Sequence, residues 1–267
     1  MVEEMIPPSP DLRPGVGNSY SHGWRRLWKN FADLLLAGIV FAVMTIVVGF
    51  IIGAIFSIGW ASSFSSGFDV FGFSGTMTEF AWHFQIVSSI LDVFYYTPLL
   101  YGMLFLFLCA AASRKVDLPD LFLGFKRHYP QVLLASVLWW LIFSAVSLVI
   151  NWVVANHVVL GGFLSFVWFI VTIVLYSRLV FVPFLLIDKG LPAMEAFSTS
   201  WEWSRGHALE NFLIFLLGIP IVIGGLIVFI VGVIPAIMWI ATAIASQYYA
   251  VSLEKENPAV FPSPMVP

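Results

Sequence analysis

Residues 195–212, EAFSTSWEWSRGHALENF, place charged and aromatic side chains together in a chain that is otherwise strongly apolar. Carboxylates close to a histidine could transfer protons in an acid–base reaction, and an arginine could bind an anion. A hydrolase also needs a nucleophile beside a base, and we find no such pair and no nucleophile motif. We therefore favour a helix at the membrane surface over a catalytic cluster. The charged and titratable residues of this segment are Glu195, Glu202, Arg205, His207 and Glu210.

Arg178 is the strongest candidate for binding chemistry, because an apolar run long enough to cross a bilayer ends just before it. This spacing predicts that it lies at the inner boundary of a span. In one interpretation, Arg178 and Arg114 bind lipid phosphate or another anionic ligand with bidentate hydrogen bonds. In the other, which we favour, Arg178 pairs with Asp188 or Glu195 and fixes a loop. The candidate ligand or headgroup residues are Arg178, Arg114, Asp188 and Arg205.

Asp92 falls inside another apolar segment. A carboxylate in the middle of a bilayer would indicate a proton or ion site. Residues 93–111 are nearly long enough to cross the bilayer without it, so we predict instead that Asp92 lies at the outer interface. In that case Asp92 and Arg178 would lie near opposite faces and would not pair.

Metal and cofactor chemistry is not expected. None of the five histidines has metal-ligand spacing to another histidine, an acid or a cysteine. The single cysteine, Cys109, excludes an intramolecular disulfide and a cysteine-cluster metal site. We predict no metal, no cofactor, no enzymatic activity and no nucleic-acid partner.

The composition predicts a membrane protein. Of 267 residues, 60% are hydrophobic and only 10% are charged, and the mean hydropathy is +0.96; soluble domains carry roughly 25% charged residues. Apolar runs of about 20 residues predict transmembrane helices. The fold class is therefore an all-α polytopic bundle with six spans, at about residues 33–58, 86–111, 131–154, 159–186, 210–232 and 235–252.

The cations lie on alternate sides of these spans, which predicts the orientation of the chain. The connections at about residues 59–85, 155–158 and 233–234 contain no lysine or arginine. The positive-inside rule then places both termini and the two long basic loops in the cytoplasm. We expect the protein itself to lie in the cell membrane. The cations are Arg13, Arg25, Arg26 and Lys29; Arg114, Lys115, Lys126 and Arg127; Arg178, Lys189 and Arg205; and Lys255.

The segments before the odd-numbered spans resemble one another, which predicts a threefold repeat over residues 18–115, 116–188 and 189–253. Each unit would contain a cytoplasmic amphipathic helix at the membrane interface, followed by a helical hairpin. Residues 1–17 would be a disordered tail and residues 254–267 a second tail. The apolar stripes are Tyr20, Trp24, Leu27, Trp28 and Phe31; Leu118, Leu121, Phe122, Phe125 and Tyr129; and Met194, Phe197, Trp201 and Ala208.

Glycine spacing predicts where helices pack against each other. Small residues at intervals of four or seven let helix backbones approach closely in lipid. The first span contains a GxxxG pattern and the fifth a glycine every seventh residue. The predicted contact positions are Gly49 and Gly53, and Gly218, Gly225 and Gly232.

Residues 177–215 resemble the membrane domain attached to some glycerophosphodiester phosphodiesterases, and a broad group of six-span prokaryotic membrane proteins of unknown function. An arginine near the end of the fourth span, an apolar stretch with proline, an acid and glycine, and an "EA…S" and "W…RG" pattern carry the likeness. The resemblance implies an all-α membrane domain and implies no activity. The matching residues are Arg178, Pro183, Asp188, Gly190, Glu195, Ala196, Ser200, Trp201, Arg205 and Gly206.

These observations favour a non-enzymatic membrane module that is structural, accessory or lipid-interacting. The alternative is a small permease for a lipid or another apolar or anionic solute. The candidate partners are membrane lipids, anionic ones among them, and other membrane subunits. A cavity lined by Arg114, Arg178 or Asp92 would favour transport, whereas a closed, glycine-packed core would favour an accessory subunit.

Overall fold

The computed structural model describes residues 12–65, 87–126, 129–227 and 232–256. In these ranges the regular structure is helical and no strand occurs, which confirms the all-α class. Six helices are long and apolar enough to cross a membrane, as predicted. Most of the predicted N-terminal tail, residues 1–11, and most of the C-terminal tail, residues 257–267, lie outside the described residues.

The helices follow the predicted order, with short elements between the spans. The spans are α2, α3, α5, α6, α9 and α10. A π-helical turn, Asp92–Tyr96, interrupts α3, and a 3-10 turn, Leu118–Phe122, precedes α4. The helices are α1 (Val16–Lys29), α2 (Phe31–Ser65), α3 (Val87–Ala111), α4 (Leu123–Lys126), α5 (Tyr129–Asn156), α6 (Val158–Leu179), α7 (Val182–Phe184), α8 (Ala193–Trp203), α9 (Ala208–Ile227) and α10 (Val233–Glu256).

The six spans differ sharply in burial. In α3 and α10, 61% of the residues in the apolar segment are buried, whereas the other four spans reach 6–17%. The exposed side chains of those four spans are themselves large and apolar. A surface of this kind is stable in lipid, where exposed hydrocarbon carries no penalty. Two spans therefore form the interior of the bundle, and four surround them.

The burial is concentrated at one end of the bundle, which we call the basic end. It consists of the C-terminal halves of α3 and α10, together with α1, residues 118–126, residues 181–187 and α8. Ion pairs join Arg114 to Asp188 and Lys189 to Glu256 across it. The core of the protein thus lies beside the segments that carry most of the cations.

The connection after α3 runs back along that helix. A Cβ at Gly102 would collide with the carbonyl of Leu121, and one at Gly124 would collide with the carbonyl of Pro98. Both positions need glycine because two backbones touch there. Helix α5 consequently begins beside the N-terminal part of α3, where the Tyr129 hydroxyl donates to the backbone carbonyl of Phe94 at 3.2 Å.

Residues beyond Leu179 leave the line of α6 and enter the interior. The chain turns, Pro183 lies in the short α7, and a π-helical turn, Leu185–Lys189, follows. Gly190 ends this turn with φ 67°, a left-handed conformation that glycine adopts without strain. The candidate span in the structure, Val158–Lys189, includes the predicted fourth span, 159–186, and its last third is buried in the protein core. The fully or nearly fully buried residues are Phe181, Val182, Phe184, Leu185 and Leu186.

Helical segments occur at all three predicted interfacial positions, and the predicted apolar stripes are divided between the protein interior and the surface. Tyr20, Leu27 and Leu121 are buried, whereas other residues of the stripes are exposed. In α1, Trp24 and Trp28 are 42% and 50% exposed, while the small and polar side chains beside them are buried. In α8, Met194 and Trp201 are exposed and Ala193, Ala196 and Ser200 are buried. Small side chains face the protein because they allow close approach of the backbones.

The predicted glycine contacts are found in part. Where α9 meets α10, a Cβ at Gly225 would lie 2.6 Å from the carbonyl oxygen of Gly232, so these two glycines form a tight crossing. A Cβ at Gly218 would lie 3.1 Å from the Ile240 side chain of α10. A Cβ at Gly49 would lie 3.7 Å from the Tyr96 hydroxyl. Among described residues, no atom comes within 4 Å of a Cβ at Gly53.

Candidate functional site

Arg114 and Asp188, both predicted ligand residues, pair with each other. Arg114 Nη1 donates to Asp188 Oδ1 at 2.7 Å, and the Tyr248 hydroxyl donates to the other carboxylate oxygen at 3.3 Å. Burial lowers the pKa of Arg114, but the hydrogen bond and the charge of Asp188 outweigh it, and the net shift is upward. These contacts join the end of α3, the turn after α7 and helix α10.

Arg178 does not join that pair. Its guanidinium lies over the ring of Trp201, with 5.2 Å between the guanidinium carbon and the ring centroid. Its Nη1 atom is buried without a hydrogen-bond partner, and among the described residues it forms no ion pair. Its backbone carbonyl accepts hydrogen bonds from Ser200 and Ser204 at 2.9 Å each. The backbone of Arg178 thus fixes α8, while one guanidinium nitrogen is buried without a hydrogen bond.

The polar residues of segment 195–212 divide into two groups. Glu195, Glu202 and Arg205 are exposed, and the third predicted ligand cation, Arg205, thus lies on the surface. His207 faces two carboxylates: its Nδ1 lies 3.0 Å from Glu210, and its Nε2 lies 3.5 Å from Glu254, near the end of α10. The second group therefore links α9 to α10. In the described part of the chain, no group of three or more histidine, cysteine, aspartate or glutamate side chains could hold a metal ion.

Helix α1 docks on α10 through polar side chains. Gln247 is fully buried, and its carbonyl oxygen accepts from the Ser19 hydroxyl at 2.7 Å and from the Gly15 amide at 3.0 Å. Its amide nitrogen donates to Glu210 at 2.8 Å. A Cβ at Gly23 would lie 2.9 Å from the backbone of α10, so the two helices are in backbone contact. The sequence signals Gln247 only weakly: Ser113-Arg114 and Ser177-Arg178 lie near the ends of the second and fourth spans, and Ser246-Gln247 lies at the matching place in the sixth.

His22 is held as a neutral imidazole with a defined tautomer. The Ser246 hydroxyl donates to the carbonyl of Thr242, so it can only accept from His22 Nδ1, 3.0 Å away. The other ring nitrogen accepts from Arg26 Nε at 3.3 Å. Burial, followed by the charges of Arg26 and Arg25, lowers the pKa of His22 to about 4. His22 therefore positions the Arg26 guanidinium without adding a charge.

A basic cleft of about 430 Å³ lies on α1 beside this histidine. The spacing of its residues in steps of three and four places them on one face of the helix. Arg25, Arg26 and Lys29 form no ion pair with any described residue, so three cations lie together there. The cleft can donate several hydrogen bonds to an anion, and its polar lining is Asn18, Ser21, His22, Arg25, Arg26 and Lys29.

A second, larger cavity of about 560 Å³ lies between α3, α5, α6 and α7. Its walls are mostly apolar and aromatic, with Phe215 of α9 and Ile244 of α10 also lining it. Exposed side chains, Leu100 and Trp140, lie at its edge, so it opens to the surface of the bundle. Among the described residues that line it, Asp92 is the only one with an acidic or basic side chain.

The position of Asp92 corrects the sequence-based prediction. Asp92 lines the same cavity as Tyr176 and Leu179, which flank Arg178 along α6, so the expected placement at opposite faces is wrong. The reason is the connection after α3, which runs back along that helix. It brings Tyr129, only three residues after Lys126, to the carbonyl of Phe94.

Comparisons with known proteins give no further identification, because no protein family, curated protein or solved structure matches the chain.

Proposed function

We propose that the protein is a non-enzymatic, lipid-interacting module of the cell membrane, with both termini and the basic end in the cytoplasm. The supporting observation is the basic cleft of α1, where three cations converge and none of them pairs with an acidic side chain of the described residues. Cationic clusters on a helix at a membrane surface bind the headgroups of anionic lipids. Trp24 and Trp28 lie exposed on the same helix and would insert at the headgroup level.

Arg178 provides a second contact of the same type. A buried guanidinium nitrogen without a partner is costly unless an anion occupies it. The ring of Trp201 beneath the guanidinium holds its plane in place. A lipid phosphate reaching this nitrogen would complete its hydrogen bonds. Arg178→Ala should then lose one tightly held anionic lipid.

Native mass spectrometry of the detergent-extracted protein, titrated with phosphatidylglycerol or phosphatidylcholine, tests the proposal. Each cation near an anionic surface contributes about 1 kcal/mol. The triple variant Arg25→Gln, Arg26→Gln, Lys29→Gln should therefore bind phosphatidylglycerol more than about tenfold more weakly than the parent. Binding of phosphatidylcholine should not change.

The matched control removes three exposed cations elsewhere, Lys115→Gln, Lys126→Gln and Lys255→Gln. It has the same net charge as the first variant and should retain phosphatidylglycerol. Equal losses in both triple variants would show a general charge effect and would contradict a headgroup site on α1.

A small permease is the second candidate function, favoured by the cavity that Asp92 lines. Transporters commonly bind their substrates where membrane helices are interrupted, and α3 is interrupted by the π-helical turn at Asp92–Tyr96. A transport assay in proteoliposomes separates this candidate from the first, because a module that only binds lipid moves no solute.

A further inference from the structure

The cavity between α3, α5, α6 and α7 combines a carboxylate with aromatic rings. Trp139, Phe143 and Tyr176 form a mutually packed group in its wall, with centroid separations of 4.9 to 5.1 Å. Trp140 and Phe184 line it as well. Its volume of about 560 Å³ lies within the range of small-molecule sites, roughly 300–1,000 Å³.

Asp92 has no neutralising partner among the residues that the structure describes. Among the described residues it forms neither an ion pair nor a hydrogen bond through its side chain. It lies within a helix that is long and apolar enough to cross a membrane. A carboxylate at such a position is costly unless a cation or a proton accompanies it. The carboxylate of Asp92 is therefore not balanced by a positive charge of the described residues.

The cavity selects against anions for the same reason. No lysine, arginine or histidine of the described part of the chain lines it, and the nearest arginine along α6, Arg178, directs its guanidinium at Trp201. Aromatic faces carry negative electrostatic potential and attract cations, most strongly when water is excluded. The carboxylate and the rings thus favour the same sign of charge, while the apolar walls favour a hydrophobic body.

We propose that this cavity binds an apolar organic cation, a molecule in which an ammonium or phosphonium group is attached to a hydrophobic body. The charged group lies beside Asp92 and the body lies against Trp139, Phe143 and Tyr176. The cationic group can come from a free hydrophobic cation or from an amphiphile with a single acyl chain. The inference does not rest on the proposed headgroup site, because the cavity and the basic cleft share no residue.

The sign of the charge can be tested on the unaltered protein. Tetraphenylphosphonium and tetraphenylborate have nearly the same size and shape and opposite charges. Equilibrium dialysis of the detergent-solubilised full chain should show saturable binding of the phosphonium ion and at least about tenfold weaker binding of the borate, a difference of about 1.4 kcal/mol. Equal binding of the two ions, or preference for the borate, would overturn the proposal.

Asp92→Asn tests the role of the carboxylate. The change keeps the shape of the side chain and removes its charge, so it should weaken phosphonium binding about tenfold and reduce the preference for the cation. Asp33→Asn is the matched control, because Asp33 is an exposed carboxylate in the first turn of α2 and does not line the cavity. Unchanged phosphonium affinity in Asp92→Asn would remove Asp92 from the site.

Competition experiments distinguish the sources of the cation. Displacement of phosphonium by dodecyltrimethylammonium, but not by tetramethylammonium, would identify a ligand with an apolar chain, which is the result we expect. Displacement by tetramethylammonium at equal concentration would contradict the role given to the apolar walls. The triple variant of the basic cleft should bind phosphonium like the parent, whether or not it retains anionic lipid.

Discussion

The basic end and the remaining part of the bundle are built from similarly apolar residues but are packed in opposite ways. At the basic end, backbones touch at Gly23, Gly102 and Gly124, and buried polar side chains are hydrogen-bonded. Elsewhere, large side chains such as Phe50 and Phe169 point outward. In lipid the hydrophobic effect does not drive apolar residues inward, so small residues and satisfied polar groups define the interior.

The largest predicted effect is at the contact of α3 with the connection that follows it. Gly102→Ala would place a methyl group against the carbonyl of Leu121, and forced overpacking of this kind costs typically 1–3 kcal/mol and occasionally more. The thermal midpoint in detergent should fall by several degrees. Gly162→Ala is the control, because no atom lies within 4 Å of a Cβ there and alanine is the better helix former.

Gln247→Leu should have the next largest effect. The substitution leaves the Ser19 hydroxyl and the Gly15 amide without their partner and removes one of the two contacts of Glu210, whose carboxylate still faces His207. A buried unsatisfied group costs about 1–3 kcal/mol. Limited proteolysis within α1 should become faster, because the helix is less firmly docked. Ser198→Ala, on the exposed side of α8, should leave the cleavage rate unchanged.

A pair of identical substitutions compares the two regions directly. Phe181→Leu in the buried turn should lower thermal stability by about 1–2 kcal/mol, because the smaller side chain leaves a void. Phe169→Leu, where the side chain is 62% exposed, should change stability by less than about 0.5 kcal/mol. Similar losses at both positions would mean that the exposed face of α6 is covered by protein.

A further prediction is a reversible response of stability to pH at His22. Its pKa is about 4 in the folded protein and 6.5 in its reference state. Between these values the unfolded chain binds more protons, so stability should fall as pH decreases from about 6.5 and should level off near 4. His22→Gln should flatten this part of the profile, measured by thermal unfolding from pH 4 to 8. An unchanged slope in the variant would show that another group is responsible.

Composition and apolar run length were sufficient to predict the all-α class and the six helices, because the thickness of a bilayer fixes the length of a span. The termini of those helices were less predictable. Residues 181–187 are as apolar as a membrane helix, yet they are buried in protein. Hydropathy cannot separate these two environments, since both exclude water.

The candidate site was predictable in its residue types and not in their arrangement. Asp188 and Arg114 were recognised as binding residues, and they bind each other. Asp92 was wrongly predicted to lie at the face of the membrane opposite to Arg178. The path of the connection after α3 depends on backbone contacts that leave little trace in the sequence. The basic cleft of α1 was visible as a cluster of cations, whereas the role of His22 in positioning Arg26 required the structure.

The docking of α1 on α10 has a consequence for synthesis of the chain. The two partners Ser19 and Gln247 are separated by 228 positions, nearly the whole polypeptide. While the ribosome is still translating the middle spans, α1 lacks the helix on which it docks. Only the synthesis of α10 provides that helix. A prematurely terminated product would therefore carry an unattached N-terminal helix, a feature by which proteases could distinguish unfinished copies from finished ones.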